Sequence, residues 1–371
     1  MKIVRMKSAT KSVSIKLLPV FICVVLALRL NAATEPKVSP LPAPVSNNAV
    51  AISHDEGGAK IYSFMGIGPK KTWNAITTST YEMDPSTGKW TEMRPVPGVA
   101  GRIAASAVAI HDQVFIFGGY VVDAQGGENT VSDLNVFVPT ENRYYRGKDI
   151  PVPVDDAVVG LYRDRFIFLI GGWSTSKNDS VRDVQIYDTE KDVWMSGTPL
   201  PGTPVFGHAG AIVGDTIVYV DGAYKNPAGP TPKYIASSEC WTGKIPKKGD
   251  LTKIEWTKLP AHPGSARYRI AAGAAPLEKK SERIYFSGGT DNPYNYNGIG
   301  YDGQPAEPSP VTFAYDVHTR SWETVTENAP DPTMDHRGLL VTNRGLVIVG
   351  GMEKGQQVTA KVTVVKPSHK K

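Results

Sequence analysis

The amino-acid sequence predicts an all-β fold: a six-bladed propeller of four-stranded blades, closed by an N-terminal strand that joins the last blade. Three observations carry this expectation. A short β-rich run ending in Gly-Gly or a near variant recurs, closing at Gly66, Gly119, Gly172, Gly222, Gly289 and Gly351, at intervals of 53, 53, 50, 67 and 62 residues. A Tyr-Asp…Trp signal follows, clearest in Tyr187-Asp188…Trp194 and Tyr315-Asp316…Trp322. Proline patterns then end the units, as in RPVPG, IPVPV, PLPG and LPAHPG. Self-similarity at such a period marks a repeat array, in which each unit buries its apolar face against the next.

The elements follow in chain order. Lys2, Arg5, Lys7, Lys11 and Lys16 precede the apolar run LLPVFICVVLAL, and the small-residue stretch LNAAT comes after it. This pattern reads as a secretory signal peptide over residues 1–33, so the product is expected to be periplasmic or extracellular. The run is too short for a comfortable membrane span, and none is expected in the mature chain. The whole chain carries 41 basic and 36 acidic residues; residues 1–33 hold six of the basic ones and no acidic one, leaving 35 against 36. No basic cluster remains to mark a phosphate-binding face, so nucleic acid is excluded as a partner. Removal of Cys23 leaves Cys240 alone, which rules out a disulfide and a cysteine-based metal site. No cofactor and no metal are expected.

Residues 34–371 form one domain, with blades at about 46–98, 101–154, 155–202, 206–264, 266–330 and 333–367 plus 38–45. Each unit opens with a small-residue strand such as RIAASAVAI. An apolar strand closing in Gly-Gly follows, and a hairpin carrying Tyr-Asp…Trp ends it. Turn-forming residues between the last two markers make the hairpin. Trp90, Trp194, Trp256 and Trp322 are assigned to packing between blades, because an indole buries a large apolar area. The sixth unit ends at AKVTVVKP without a fourth strand, whereas VSPLPAPV at residues 38–45 repeats the proline ending at the other terminus. The N-terminal segment is therefore expected to supply the missing outer strand and remove an exposed edge.

Gly-Gly with a downstream Tyr and Trp, repeated through nearly the whole mature chain, resembles Kelch repeats. That resemblance implies a β-propeller around a central channel. A secreted six-bladed Kelch architecture is also similar to that of bacterial N-acetylneuraminate epimerase, a mutarotase. The similarity implies one group that protonates a sugar ring oxygen, another that takes the anomeric proton, and an Arg for the sugar carboxylate. In that family a Glu ends the second strand of blade four; here Ala223 stands at that place in VDGAYKNPAGPTPKY. Kelch repeats also occur in galactose oxidase, a copper enzyme that has a Tyr beside a ligand His, and no Tyr-His pair occurs in this sequence.

Loops that precede the first strand and follow the second open on one face of a propeller. The stretch DNPYNYNGIGYDGQPAEPSP, residues 291–310, follows Gly289 with neither helical nor strand period. Its tyrosines argue against plain disorder, and it is expected to form a partly ordered cover over that face. Tyr120, Trp173 and Tyr224 begin equivalent loops, and Tyr296 and Tyr301 lie in the cover; such rings stack on sugars or anchor a protein partner. The loops before each first strand supply Arg102, Asp156, Arg267, Arg269 and Arg337 as ligand-binding candidates. His208, Asp335 and His336 are the candidates for proton transfer, with His208 paired to Asp335 or His336. The expected function is binding of a carbohydrate or other small ligand at the channel mouth. Sugar mutarotation or epimerisation, and a scaffold role toward a surface protein, are the alternatives.

Overall fold

The computed structural model describes residues 38–55, 58–98, 101–275 and 282–367, so the signal-peptide reading of residues 1–33 lies outside them. Six antiparallel sheets succeed one another along the chain. Blade one is Ala49–Asp55, Gly58–Ile67, Ile76–Asp84 and Lys89–Met93; blade two is Ser106–Ile110, Gln113–Phe117, Leu134–Val138 and Arg143–Arg146. Blade three is Val158–Tyr162, Phe166–Ile170, Val184–Asp188 and Val193–Ser196; blade four is Ala209–Val213, Thr216–Val220, Cys240–Lys244 and Glu255–Leu259. Blade five is Ala271–Ala275, Arg283–Ser287, Thr312–Asp316 and Ser321–Thr326, and blade six is Leu340–Thr342, Gly345–Val349 and Val362–Val365.

Sequence pattern follows position in the blade. Second strands such as FIFLI are covered on both faces and are apolar throughout, whereas outer strands such as VWMS are half-exposed. First strands are small because they crowd the axis: each packs on its neighbours, and blade one meets blade six. The core lies between blades, as where Val158, Phe168 and Ile186 of blade three meet Ile212, Tyr219 and Ile254 of blade four. Gly172 has φ +100°, and a Cβ there would stand 2.4 Å from the Asp155 carbonyl oxygen, so the Gly-Gly ending is a steric requirement.

The Tyr-Asp…Trp signal has a local cause. Asp188 accepts from Arg165 and the Glu190 backbone, and Asp316 accepts from the His318 and Thr319 backbones, so each Asp closes its hairpin turn. The indole N–H groups of Trp194, Trp256 and Trp322 donate to the carbonyls of Lys148, Thr198 and Pro260 in the segment entering their blade from the one before. Trp90 donates in the same way to Ser39 at 3.0 Å.

That last bond locates the N-terminal arm. Ser39 takes the place held in other blades by the connecting segment, and Leu41 donates to Ala360 as Ile150 does to Ser132 and Leu200 to Arg182. Val45 donates to Thr359 and accepts from Gly351. The arm thus bonds to blade six as a connector, and blade six has three strands among the described residues. The expected outer strand is not formed by residues 38–45. Their prolines match those of connectors, and connectors run between sheets.

Candidate functional site

On one face, every blade repeats a single bridge between the loop before its first strand and the loop after its second. The pairs are Ser46–Ile67, Ile103–Tyr120, Asp155–Trp173, Phe206–Ala223, Tyr268–Thr290 and Met334–Met352. The residue after each bridge turns left-handed: Asn47 (φ 59°), Ala104 (56°), Asp156 (51°), Gly207 (62°), Arg269 (53°) and Asp335 (76°). The Ala104, Asp156, Gly207 and Arg269 amides each donate to the carbonyl of the equivalent residue one blade earlier; Asn47 donates to Asp335, and His336 donates to Arg269. A ring of backbone hydrogen bonds therefore circles the axis. Non-glycine residues at positive φ carry conformational strain, which is held here by that ring and tends to gather at functional sites.

The ring side chains form a buried ionic network. Arg269 donates through Nη2 and Nε to Asp156 Oδ2 at 2.7 and 3.2 Å, and through Nη1 to Asp335 Oδ1 at 3.1 Å. Arg337 pairs with Asp156 Oδ1 at 2.6 Å and bonds to Asn47. Asp335 Oδ2 accepts from Ser46 Oγ at 2.5 Å and from Asn47 Nδ2 at 2.7 Å, and its Oδ1 accepts from the Tyr294 hydroxyl at 3.2 Å. Burial alone would push the Asp156 carboxyl up, but Arg269 and Arg337 hold it below the usual carboxylate range. Burial opposes the charge on Arg269 as well, and Asp156, Tyr268 and Asp335 keep it firmly protonated.

Residues 291–310 do cross this face. Tyr294 is fully buried over the network, Tyr296 packs with Ile67, Ile103 and Tyr120 of blades one and two, and Tyr301 meets Tyr234 of blade four at 4.7 Å. Gln356 of blade six donates to the Ala306 carbonyl at 2.9 Å. Small hairpins complete a crown: Tyr120–Val122 with Glu128–Thr130, Trp173–Ser174 with Asp179–Ser180, and Ala223–Lys225 with Tyr234–Ala236. Trp173 sits edge-on to Phe206 at 5.5 Å and Tyr234 at 5.6 Å. Beneath the network, a cavity of ≈ 670 Å³ runs between the first strands, with His208, His336, Asp156 and Arg337 at one end and His54, His111 and Arg163 at the other.

The structure brings Asp156, Arg269, Asp335 and Arg337 together, with Tyr120, Trp173, Tyr296 and Tyr301 around them. Tyr224 is half-buried on its crown hairpin. Arg102 and Arg267 stand apart. Arg102 bonds to the Gly118 carbonyl and Asp133, and Arg267 to the Gly288 and Val311 carbonyls, so both tie strands of their own blades. His208 makes no hydrogen bond of good geometry among the described residues; burial lowers its pKa to about 4, opposed by the Ile170 backbone and Asp156. His336 bonds to Thr333 Oγ1 at 2.9 Å, and burial lowers it likewise to about 4. Both imidazoles are neutral at pH 7, and no hydrogen bond joins His208 to Asp335 or His336 among the described residues.

Two carboxyl groups that sequence reasoning left in the background gain weight instead. Burial, then the adjacent Asp156, raises Asp155 well above the usual range. Glu128 keeps contact with solvent at the crown, yet crowding there raises it too, with Arg269 opposing and Asp156 reinforcing. Asp155 feels the Glu128 charge, and both groups feel those of Arg269 and Asp156. A pair of carboxyls biased toward the protonated form, beside aromatic rings, can donate a proton and take one back. Glu128 lies in GGENT, which carries no sequence signal of a site.

Comparison with known proteins gives a Kelch motif over residues 167–201. The chain is 27% identical over 180 residues to beta-scruin of Limulus polyphemus, spanning 45% of this chain and 19% of that protein. It is 26% identical over 361 residues to N-acetylneuraminate epimerase 1 of Escherichia coli O6:H1, spanning 90% of this chain and 80% of that protein. The solved structure of YjhT superposes with a TM-score of 0.68 at 17% identity, covering 90% of this chain and 98% of that one.

Proposed function

From the premise that this chain is a Kelch-repeat β-propeller distantly related to the N-acetylneuraminate epimerases, we propose that it binds a neutral carbohydrate on the face that carries the crown hairpins. The single observation that carries the reading is the commitment of the axial arginines. Arg269 and Arg337 are both engaged by Asp156 and Asp335, so a sugar carboxylate would have to displace a buried carboxylate to be recognised. Aromatic rings and hydrogen-bonding groups remain, a combination suited to sugar faces and hydroxyls. The reading includes export, which rests on the charged and apolar run at the N-terminus alone.

Catalysis of anomer exchange is the second reading, and the Glu128–Asp155 pair favours it. One carboxyl would protonate the ring oxygen while the other takes the anomeric proton. The test is titration with neutral hexoses, N-acetylhexosamines and N-acetylneuraminate, followed by NMR exchange spectroscopy between anomers. A neutral sugar is expected to bind more tightly than the acidic one. Glu128→Gln or Asp155→Asn should keep binding while slowing exchange by about 10²-fold. Tighter binding of N-acetylneuraminate defeats the neutral-ligand reading, and unchanged exchange in both variants defeats the acid–base assignment.

A further inference from the structure

We infer that Asp221, Cys240 and His262 form a binding site for a zinc-class divalent ion at the junction of blades four and five. The topology assembles it: Cys240 opens the third strand of blade four opposite Val220, Asp221 is the next residue along, and His262 comes from the segment leading to blade five. One ligand atom from each lies within 4.8 Å of the other two, and all three residues are at least nine-tenths buried. Zinc distances of about 2.0–2.3 Å place tetrahedral ligands about 3.3–3.6 Å apart, so small side-chain shifts complete the site.

Two details point to a cation. His262 Nδ1 lies 2.9 Å from the Pro263 carbonyl, which can only accept, so Nδ1 carries the proton. Nε2 then presents a lone pair to Asp221 Oδ2 at 2.8 Å, an oxygen that already accepts from the Arg267 amide at 2.9 Å. Two electron-rich atoms face each other across that gap, and a proton or a metal ion must lie between them. Independently, Asp221 Oδ1 is buried with no hydrogen-bond partner among the described residues. A divalent ion with the Asp carboxylate, a Cys thiolate and a neutral His forms a site of zero net charge, which a low-dielectric interior tolerates. The thiol gives its proton to solvent on binding. The imidazole is already aimed, since it stacks on Phe313 at 4.3 Å and its far nitrogen is held by the carbonyl, the usual outer support of a metal-bound His. Cysteine count argued against such a site, but a mixed site needs one cysteine only.

The test uses the full chain with a Cys23→Ser exchange, stripped by chelator and titrated with Co²⁺ and then Zn²⁺. The expected result is one Co²⁺ per chain with tetrahedral visible bands and a near-ultraviolet thiolate charge-transfer band, displaced by one equivalent of Zn²⁺. Cys240→Ser and His262→Gln should lose that band, and zinc should raise Tm in the parent but not in either variant. A parent that shows no charge-transfer band, or a Cys240→Ser protein that keeps it, overturns the site and leaves a shared proton between Asp221 and His262. The parent spectrum decides the matter even if a variant fails to fold.

Discussion

His208 and His336 are neutral because they are buried, and that has a consequence for stability. Their folded pKa values, about 4, lie below the ordinary value of 6.5. As pH falls below about 6.5, the unfolded chain takes up protons that the folded chain refuses. The stability linked to these groups is therefore full above that pH and is lost as pH falls toward 4, at about 3 kcal/mol per residue. Urea unfolding between pH 7 and 4 should show this decline, and His336→Gln, which can keep the Thr333 bond, should make it shallower. An equal slope in the variant would show that His336 is not the neutral buried group described. Arg102 and Arg269 make the complementary point. Both are arginines in loops before a first strand, alike in sequence, yet one ties Gly118 to Asp133 and the other joins Asp156 and Asp335 across the axis. The left-handed ring residue decides this, and side-chain type does not report its backbone angle.

At the scale of the element, residues 291–310 were legible as a cover, but not as a packed one. A loop that merely shielded a ligand would leave thermal unfolding nearly unchanged when replaced. This one buries Tyr294 and Ala306 and bonds to Asp335 and Gln356. Replacing residues 292–308 by a Gly-Ser linker should therefore cost about 3 kcal/mol or more, as loss of a large buried side chain does. Thermal unfolding checks this, and a Tm within a degree of the parent would mean the segment does not pack as described. Tyr301→Ala, which removes a half-buried ring, should weaken sugar binding with a smaller loss of Tm. The hairpins holding Glu128 and Tyr234 were less legible still, since three residues per strand are too few for a period to show.

For the whole molecule, the question is how the ring is held shut. Backbone bonds around the axis join blade six to blade one at the inner edge, and the N-terminal arm joins them farther out. Leu41 is buried with Met83 of blade one and Leu340 and Val347 of blade six. Leu41→Ala should cost about 2–4 kcal/mol, and a chain beginning at residue 46 should lose more, because Trp90 then loses its Ser39 acceptor as well. Urea titration measures both; a truncated chain as stable as the parent would show that the arm does not clasp the ring.

The sequence alone determined the number of blades, their order and the packing role of Gly-Gly and Tyr-Asp…Trp, because these are repeated local requirements: a carbonyl that leaves no room for a Cβ, a turn closed by a carboxylate, an indole between sheets. It also put the loop before each first strand and the loop after each second strand on one face, where a backbone bridge joins them in every blade. Tertiary structure alone decided which loop residues meet, that the axial arginines are already partnered, that Glu128 comes within electrostatic reach of Asp155, and that the N-terminal prolines form a connector. These depend on how six separate segments converge on one axis, and spacing along the chain carries no measure of that convergence.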